Sequence, residues 1–486
     1  MQTAPLERLD SFPYRHRVSE LMASPVVSLP AQATVAEAAR AMSERDISSI
    51  IVLDEAGRLQ GILTERDVLR LIAAGRDRLD VPLGEATSRP VQAIPADALV
   101  YRALARMARL GVRHLPVIDG SGRPVGMLTA GALLRQRANL ALTLGDDIEL
   151  APDAVALRAA HDKLPTLAAA LRAEDAAPTQ VCAVIAAIVC DITRRAAELA
   201  LAAMRQEGRG DAPARWCLLA LGSAGRGESL LAADQDNALV HGGDDRDTAW
   251  FLVFGERLNA LLDAAGIPLC TGGVMAGRPA FCRALSSWRD TIDSWVAHPR
   301  PEALMNVDIF YDFVPVIGDR DLADALRLHA TDAASGSPVF LRLMAHAGEN
   351  VGSAFDLLGR LRTTKGRIDL KRYGLFPVVT AARAIALAWR SQATSTDARL
   401  REAADKGALP PDSVTELVAA RAAVVAAILA QQIADLEQGG LPGNRVDLRR
   451  LKRPALRELR RALETVATAP EAVRGALTAR VPGQAP

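Results

Sequence analysis

Two aspartates one residue apart, Asp234 and Asp236, lie eleven and thirteen positions after a Gly-Ser pair, Gly222-Ser223, in the stretch LGSAGRGESLLAADQDNALV over 221–240. On an extended segment alternate side chains share a face, so both carboxylates project together and Gln235 points the other way. Two carboxylates on one face repel each other unless a cation sits between them. Mg²⁺ removes that cost and also takes phosphate oxygens. Gly222 allows backbone N–H groups to approach a phosphate, Ser223 offers a hydroxyl, and Arg226 can take a second phosphate oxygen. The chemistry this pattern suits is the binding of a divalent cation together with a phosphate group.

The combination resembles the catalytic core of the polymerase-β-like nucleotidyltransferases, in which G-S is followed by D-x-D on the next strand. With Gly225, Arg226, Glu228 and Asn237 added, it resembles the nucleotidyltransferase-like domain attached to CBS pairs. It is also similar to the PII-protein uridylyltransferases and glutamine-synthetase adenylyltransferases. The resemblance implies two Mg²⁺ ions on Asp234, Asp236 and a third carboxylate carried by a later strand, often followed by Arg-Pro. FYDFVPV assigns that third place to Asp312, with Val314 standing where the Arg is usual. Asp308, four residues earlier on the same expected strand face, is the alternative. Gly222, Ser223 and Arg226 are the implied phosphate ligands. Glu228 is expected to accept backbone N–H bonds within the loop. The glycines of TGGVMAG over 271–277 either line the nucleotide pocket or make a plain turn.

The elements that must position these groups are legible from periodicity. WCLLALG from Trp216, DQDNALV from Asp234 and NVDIFYDFVPVIGD from Asn306 read as strands, with helical patterns DTAWFLVFGERLNALLDAAG and AFCRALSSWRDTIDSWVAHP between them. This gives an α/β core over 210–330, preceded by a helical segment over 137–209. His161-Asp162 in that segment has no second His nearby and reads as a helix-surface pair. Beyond Ser335-Gly336-Ser337-Pro338, read as a linker, the chain is helical over 335–478. That part resembles the substrate-binding domain that follows such cores, with IDLKRYGLFPVVTAARAIAL over 368–387 the clearest match. Lys is scarce in this Arg-rich chain, so Lys371 is a candidate phosphate or base contact. The most apolar helix, Leu417 to Ala430, carries Arg421 and reads as a buried or bundle helix rather than a membrane span.

The first 136 residues hold an internal repeat. IIVLDEAGRLQGILTERDVLRLI from Ile50 and HLPVIDGSGRPVGMLTAGALLRQ from His114 align at an offset of 65, Gly61 with Gly126 and Thr64 with Thr129. Each copy reads β-α-β-β-α, and Thr34 with Glu37 forms a capping-box pattern at one helix start. The repeat, with G-I-x-T-x-x-D over 61–67, resembles a CBS domain pair over 18–136. That resemblance implies adenine-nucleotide binding through Thr64, Asp67 and Thr129, and dimerisation through the pair. Ala132 replaces Asp in the second copy, so one dominant site per pair is expected. Residues 1–17 and 479–486 read as tails.

The whole is expected to be a multidomain α/β plus α protein: a tandem CBS pair, a nucleotidyltransferase α/β core and a C-terminal helical bundle. Charges nearly cancel, with 58 basic against 57 acidic residues, and aromatics are 4 %. A nucleic-acid or anionic-membrane surface is therefore not expected. Five cysteines without a C-x-x-C pair argue against a disulfide framework or structural zinc and for a reducing cytoplasm. MQTAPLERLDSFPYRH over 1–16 has no apolar h-region, so these residues are not expected to be a secretory signal. The expected activity is transfer of a nucleoside monophosphate from an NTP to a hydroxyl, on a protein acceptor, governed by adenine nucleotide at the CBS pair. The alternatives are a non-catalytic nucleotide sensor and a CBS-dimerised scaffold.

Overall fold

A computed structural model of the chain describes residues 17–74, 79–87, 91–129, 144–299, 304–349 and 351–479. It separates into two compact units, Met1–Thr143 and Leu144–Pro486.

In the first unit one copy of the repeat runs β1 (Ser28–Pro30), α1 (Val35–Glu44), β2 (Ser49–Leu53), β3 (Leu59–Thr64) and α2 (Glu65–Ala73). The other runs β4 (Ile94–Pro95), α3 (Val100–Leu110), β5 (His114–Ile118) and β6 (Pro124–Thr129). The helix expected after Thr129, and Ala132 with it, lie outside the described residues. The 65-residue offset survives in the pairing: Ser49 faces Thr64 in one sheet and His114 faces Thr129 in the other. The side chain of Thr34 accepts the Glu37 N–H while the Glu37 carboxylate accepts the Thr34 N–H, so the capping box forms. Each copy closes its own small core, around Ile50, Val52 and Leu63 in one and Leu115, Val117 and Leu128 in the other.

The second unit opens with α4 (Ala154–His161), α5 (Leu164–Ala173) and the 29-residue α6 (Pro178–Gln206). There follow β7 (Trp216–Ala220), β8 (Asn237–His241), α7 (Asp245–Ala264), β9 (Cys282–Ala284), α8 (Leu285–Ala297), α9 (Leu304–Phe310), β10 (Val314–Gly318) and α10 (Arg320–Ser335). The sheet is ordered β10-β7-β8-β9, antiparallel except for the β8–β9 pair. Both faces are covered. Leu218 and Leu239 enter one apolar cluster, and Cys217, Leu219, Ala238 and Val240 enter the other.

Two readings of the sequence change here. The D-Q-D triplet precedes β8, which begins only at Asn237. NVDIFYDFVPVIGD is not one strand: its first part is the helix α9, and the strand starts at Val314. The aromatic and β-branched content suggested a strand. The buried Val307, Phe310 and Tyr311, however, fall at i, i+3 and i+4, which is helical spacing. Asp308 and Asp312 therefore do not share a strand face.

The remaining elements are α11 (Pro338–Glu349), β11 (Arg367–Asp369), a π-helical turn (Lys371–Leu375), α12 (Phe376–Ala388), α13 (Thr396–Asp405), α14 (Pro411–Glu437), β12 (Arg445–Asp447), α15 (Arg453–Val466) and α16 (Ala469–Ala479). Residues 377–388 of α12 are buried all round, which makes it the central helix of this part. Its neighbours are α11, α13 and α16. The expected linker is a two-residue joint between α10 and α11. One apolar cluster contains both Ile185 of α6 and Ile385 of α12, and the other contains both Phe310 and Phe340. The α/β part and the helical part thus share their cores. α14 is the one described helix long and apolar enough to cross a bilayer, yet half of its most apolar window is buried, and the buried Arg421 on it pairs with Asp397 at 2.7 Å.

Candidate active site

The alternation read from D-Q-D is fixed by a buried amide network behind it. The Gln235 side chain donates to the carbonyls of Asn259 at 3.0 Å and Ile267 at 2.8 Å. Asn259 donates in turn to the side-chain oxygens of Gln235 and Asn237, and Asn237 accepts the Ala276 N–H at 2.8 Å. With residues 235 and 237 held inward, Asp234 and Asp236 are left on the other side, and neither is fully buried. The Leu221 N–H donates to the Asp236 carbonyl at 2.8 Å, which sets the Gly-Ser turn beside the pair. Gly222 has φ +57°, and a Cβ there would lie 2.6 Å from an Asp236 carboxylate oxygen. Glycine is therefore required both for its backbone conformation and for the close approach. Ser223 follows it in a single helical turn, Gly222–Gly225.

Burial, and then the neighbouring Asp234 carboxylate, push the Asp236 carboxyl up to about 6, while the nearby Cys270 thiol and the charges of Lys371 and Arg226 pull against them. Lys371, exposed on the π-helical turn, is thereby placed within electrostatic reach of Asp236. Ligand atoms of Asp234, Asp236 and Cys270 all lie within 4.8 Å of one another. Such a set fits a divalent cation, since two carboxylates left this close without one repel. Asp234 also lines a cavity of about 820 Å³ bounded by Arg158 and His161 on α4, Thr166 on α5 and Ile433 and Leu436 on α14. His161, read as a surface group, is thus part of a cavity wall.

Asp312 and Arg226 do not fit the roles expected of them. Asp312 is fully buried, and its carboxylate accepts from Arg226 at 2.6 Å, Arg383 at 2.5 and 3.1 Å and Arg399 at 2.5 Å. Burial alone would raise its pKa, but the charges of Arg383, Arg399 and Arg226 outweigh it and hold the carboxyl far below the usual range. Both oxygens are committed, so none is left for a metal. Arg226 is spent on Asp312 and on Glu228 at 2.9 Å, which removes it as a phosphate ligand. Asp308 is buried and paired with the same Arg383, so it does not replace Asp312. Among the described residues Glu228 accepts no backbone N–H from its own loop; it accepts the Thr396 N–H at 2.7 Å and the Thr396 hydroxyl at 3.0 Å, tying the loop to the start of α13. Gly225 is the close-packed point, since a Cβ there would meet the Asp312 carbonyl at 1.8 Å.

The sequence reading missed Cys270, Arg399 and Thr396. Cys270 immediately precedes TGGVMAG, and its only signal was that position. In the first unit, Thr64 and Asp67 are engaged with each other. The Thr64 hydroxyl donates to Asp67 at 2.6 Å, Asp67 accepts the Thr64 N–H at 3.1 Å, and the Asp67 N–H donates back to the hydroxyl at 3.3 Å. This is a capping box on α2. The Ser48 hydroxyl and the His114 ring lie 2.8 Å apart and join the two copies.

Comparison with known families agrees with this layout. The model described as "Putative nucleotidyltransferase DUF294" matches residues 162–302, that described as "Putative nucleotidyltransferase substrate binding domain" matches 338–477, and the CBS domain matches 18–74 and 83–139. The chain belongs to the DUF294 family joined to a CBS pair. The π-helical turn with Lys371 and the buried Arg383 fall within the matched substrate-binding part of this DUF294 protein, and Asp234, Asp236 and Cys270 within the matched core. Its similarities to individual proteins are partial. An uncharacterized 17.7 kDa protein of Acidianus ambivalens is 34% identical over 119 residues, 24% of this chain and 71% of that protein. An uncharacterized protein of Methanopyrus kandleri is 29% identical over 133 residues, 27% of this chain and 68% of that protein. A solved CBS domain protein of Pyrobaculum aerophilum, complexed with AMP, is 31% identical over 26% of this chain and 95% of that one, with a TM-score of 0.24.

Proposed function

We propose that the second unit transfers a nucleoside monophosphate from an NTP to an acceptor hydroxyl. The observation that carries this reading is the meeting of Asp234 and Asp236 with the positive-φ Gly222 turn and Lys371. Asp234 and Asp236 are the residues to hold the divalent ions. Bound there, the ions neutralise the phosphate charge and lower the pKa of an attacking hydroxyl. Gly222 and Ser223 orient the phosphates, and Lys371 balances the charge that builds on the leaving pyrophosphate. The acceptor oxygen attacks the α-phosphorus as its proton passes to solvent, the bond to the β-phosphate bridging oxygen breaks, and pyrophosphate leaves. The cavity beside Asp234 is the approach for the acceptor, which we take to be a protein hydroxyl presented on a side chain, as in the PII-uridylyltransferase-like reading. In the first unit, Thr64, Asp67 and Thr129 hold an adenine nucleotide that governs the transfer, and the CBS pair forms the dimer contact of a cytoplasmic enzyme.

Incubation of the full chain with each labelled NTP, Mg²⁺ or Mn²⁺, and lysate tests the reading: label appears on an acceptor with release of pyrophosphate, and Asp236→Asn abolishes both. The sealing of Asp312 favours a second reading, a nucleotide sensor that binds NTP without transfer. Metal-dependent NTP binding with no label transferred under any of these conditions selects it.

A further inference from the structure

We propose that Cys270 is the third protein ligand of the Asp234–Asp236 centre, making it an O,O,S site that favours a thiophilic divalent ion such as Co²⁺ or Zn²⁺ over Mg²⁺. This rests on the cation-binding reading of the D-x-D pair and adds to it the identity of the ion.

The structure leaves the third place open and then fills it. The two carboxylates that could have taken it, Asp308 and Asp312, are paired with arginines. The sulfur of Cys270 instead lies with one oxygen each of Asp234 and Asp236, all within 4.8 Å of one another. The chain holds Cys270 there for a separate reason: the Gly273 N–H donates to the Cys270 carbonyl at 3.0 Å, and the Asn237 N–H donates to the Val274 carbonyl, so the 270–274 turn is tied to the start of β8. The other four cysteines have no such surroundings. Cys182, Cys217 and Cys282 are buried among apolar side chains, and Cys190 is half-buried on the long helix α6. Donor softness then decides the ion. Carboxylates alone suit Mg²⁺ and Mn²⁺, whereas one thiolate shifts the preference toward Zn²⁺ and Co²⁺.

Titration of the full chain with Co²⁺, followed by absorbance and by equilibrium dialysis, tests the assignment. The expected result is a sulfur-to-cobalt charge-transfer band at one equivalent. The band disappears in Cys270→Ser, with Co²⁺ affinity falling about tenfold or more and Mg²⁺ affinity unchanged. Cys270→Asp restores an all-carboxylate set and should lose the band while binding Mg²⁺ more tightly than the parent. If Co²⁺ binds and the Asp234→Asn/Asp236→Asn variant releases it, but no band forms, Cys270 is not a ligand and the proposal falls alone. If no divalent ion binds to the folded parent chain, the cation reading of the D-x-D pair falls with it. Melting curves for each variant separate loss of binding from loss of fold.

Discussion

Two acid clusters flank the same four-residue turn, Gly222–Gly225, and they are treated in opposite ways. Behind the turn, Asp312 sits against Gly225 and receives three guanidinium groups, from Arg226, Arg383 and Arg399. In front, Asp236 sits against Gly222 next to Asp234, and among the described residues neither forms an ion pair. The rear carboxylate is pulled far below its ordinary pKa and the front one is pushed above it. A cluster that the chain completes with its own cations holds elements together; one left incomplete is available to a cation from outside. By type alone all these aspartates look alike, and only the location of the arginines separates them.

The strongest way to break the contrast is to remove the arginines with the elements that carry them. A chain ended at Ser335 loses Arg383 and Arg399 together with α12 and α14, which share an apolar cluster with α6 and α7. Residues 144–335 are expected to be proteolysed and to show no cooperative melting, while the first unit, with its own cores, stays resistant. A protease-resistant product that includes residues 144–335 would show that the rear cluster and shared core are dispensable. A smaller but still large effect is expected from Asp312→Asn, which leaves three buried guanidiniums short of a counter-charge. Losing one partner of a buried ion network typically costs ~3–5 kcal/mol. Urea unfolding should show that loss, and added divalent ions should not recover it.

The same substitution in front should have the opposite sign. Asp236 titrates near the ordinary carboxylate value of 3.8 when unfolded and near 6 when folded. Between those values the folded chain holds a proton that the unfolded chain has lost. Stability is therefore greatest at the acid end and falls as pH rises through about 6, by at most ~3 kcal/mol for a shift of this size. At pH 8 without metal, Asp236→Asn should unfold at equal or higher urea than the parent, while transfer is abolished. A divalent ion relieves the same repulsion in the parent. Its addition should raise the melting temperature at pH 8 and do so much less at pH 5, where a proton occupies Asp236. A metal-induced shift equal at both pH values would show that Asp236 is not the group being relieved.

The front cluster was largely legible in the sequence because its geometry is local. G-S, D-x-D and the period of two between Asp234 and Asp236 place the acids without knowledge of the rest of the chain. The rear cluster was not, because its partners lie far away: Arg383 and Arg399 follow Asp312 by 71 and 87 residues. No spacing rule connects residues on α12 and α13 to the end of α9. The same remoteness hid the shared core. A Ser-Gly-Ser-Pro stretch reads as a linker, but whether apolar faces on its two sides meet is a tertiary fact. Cys270 was missed for a different reason. The family pattern asks for a carboxylate, and a thiol beside the pair carries no such signature. The CBS repeat was read well, since pairing at a constant offset of 65 is visible as internal similarity.

Asp67 stands between the two extremes. One of its oxygens is used locally, by the N–H and hydroxyl of Thr64, and the other faces Arg70 at 3.6 Å. The local use alone explains why Thr and Asp occur three residues apart at the start of α2. Asp67→Ala removes the carboxylate half of the capping box and should cost about 1 kcal/mol of stability, the ordinary worth of a cap. Thr64→Ala should cost about the same, and the double substitution little more than either alone, because the two residues serve one hydrogen-bonded unit. A ligand role adds a second, separable effect. Asp67→Asn keeps an acceptor for the Thr64 N–H and so keeps most of the cap. If it nevertheless weakens binding of AMP or ATP to the full chain, measured by calorimetry, the second oxygen belongs to a ribose. If Asp67→Asn leaves affinity unchanged, Asp67 joins Asp312 as a carboxylate whose work is structural.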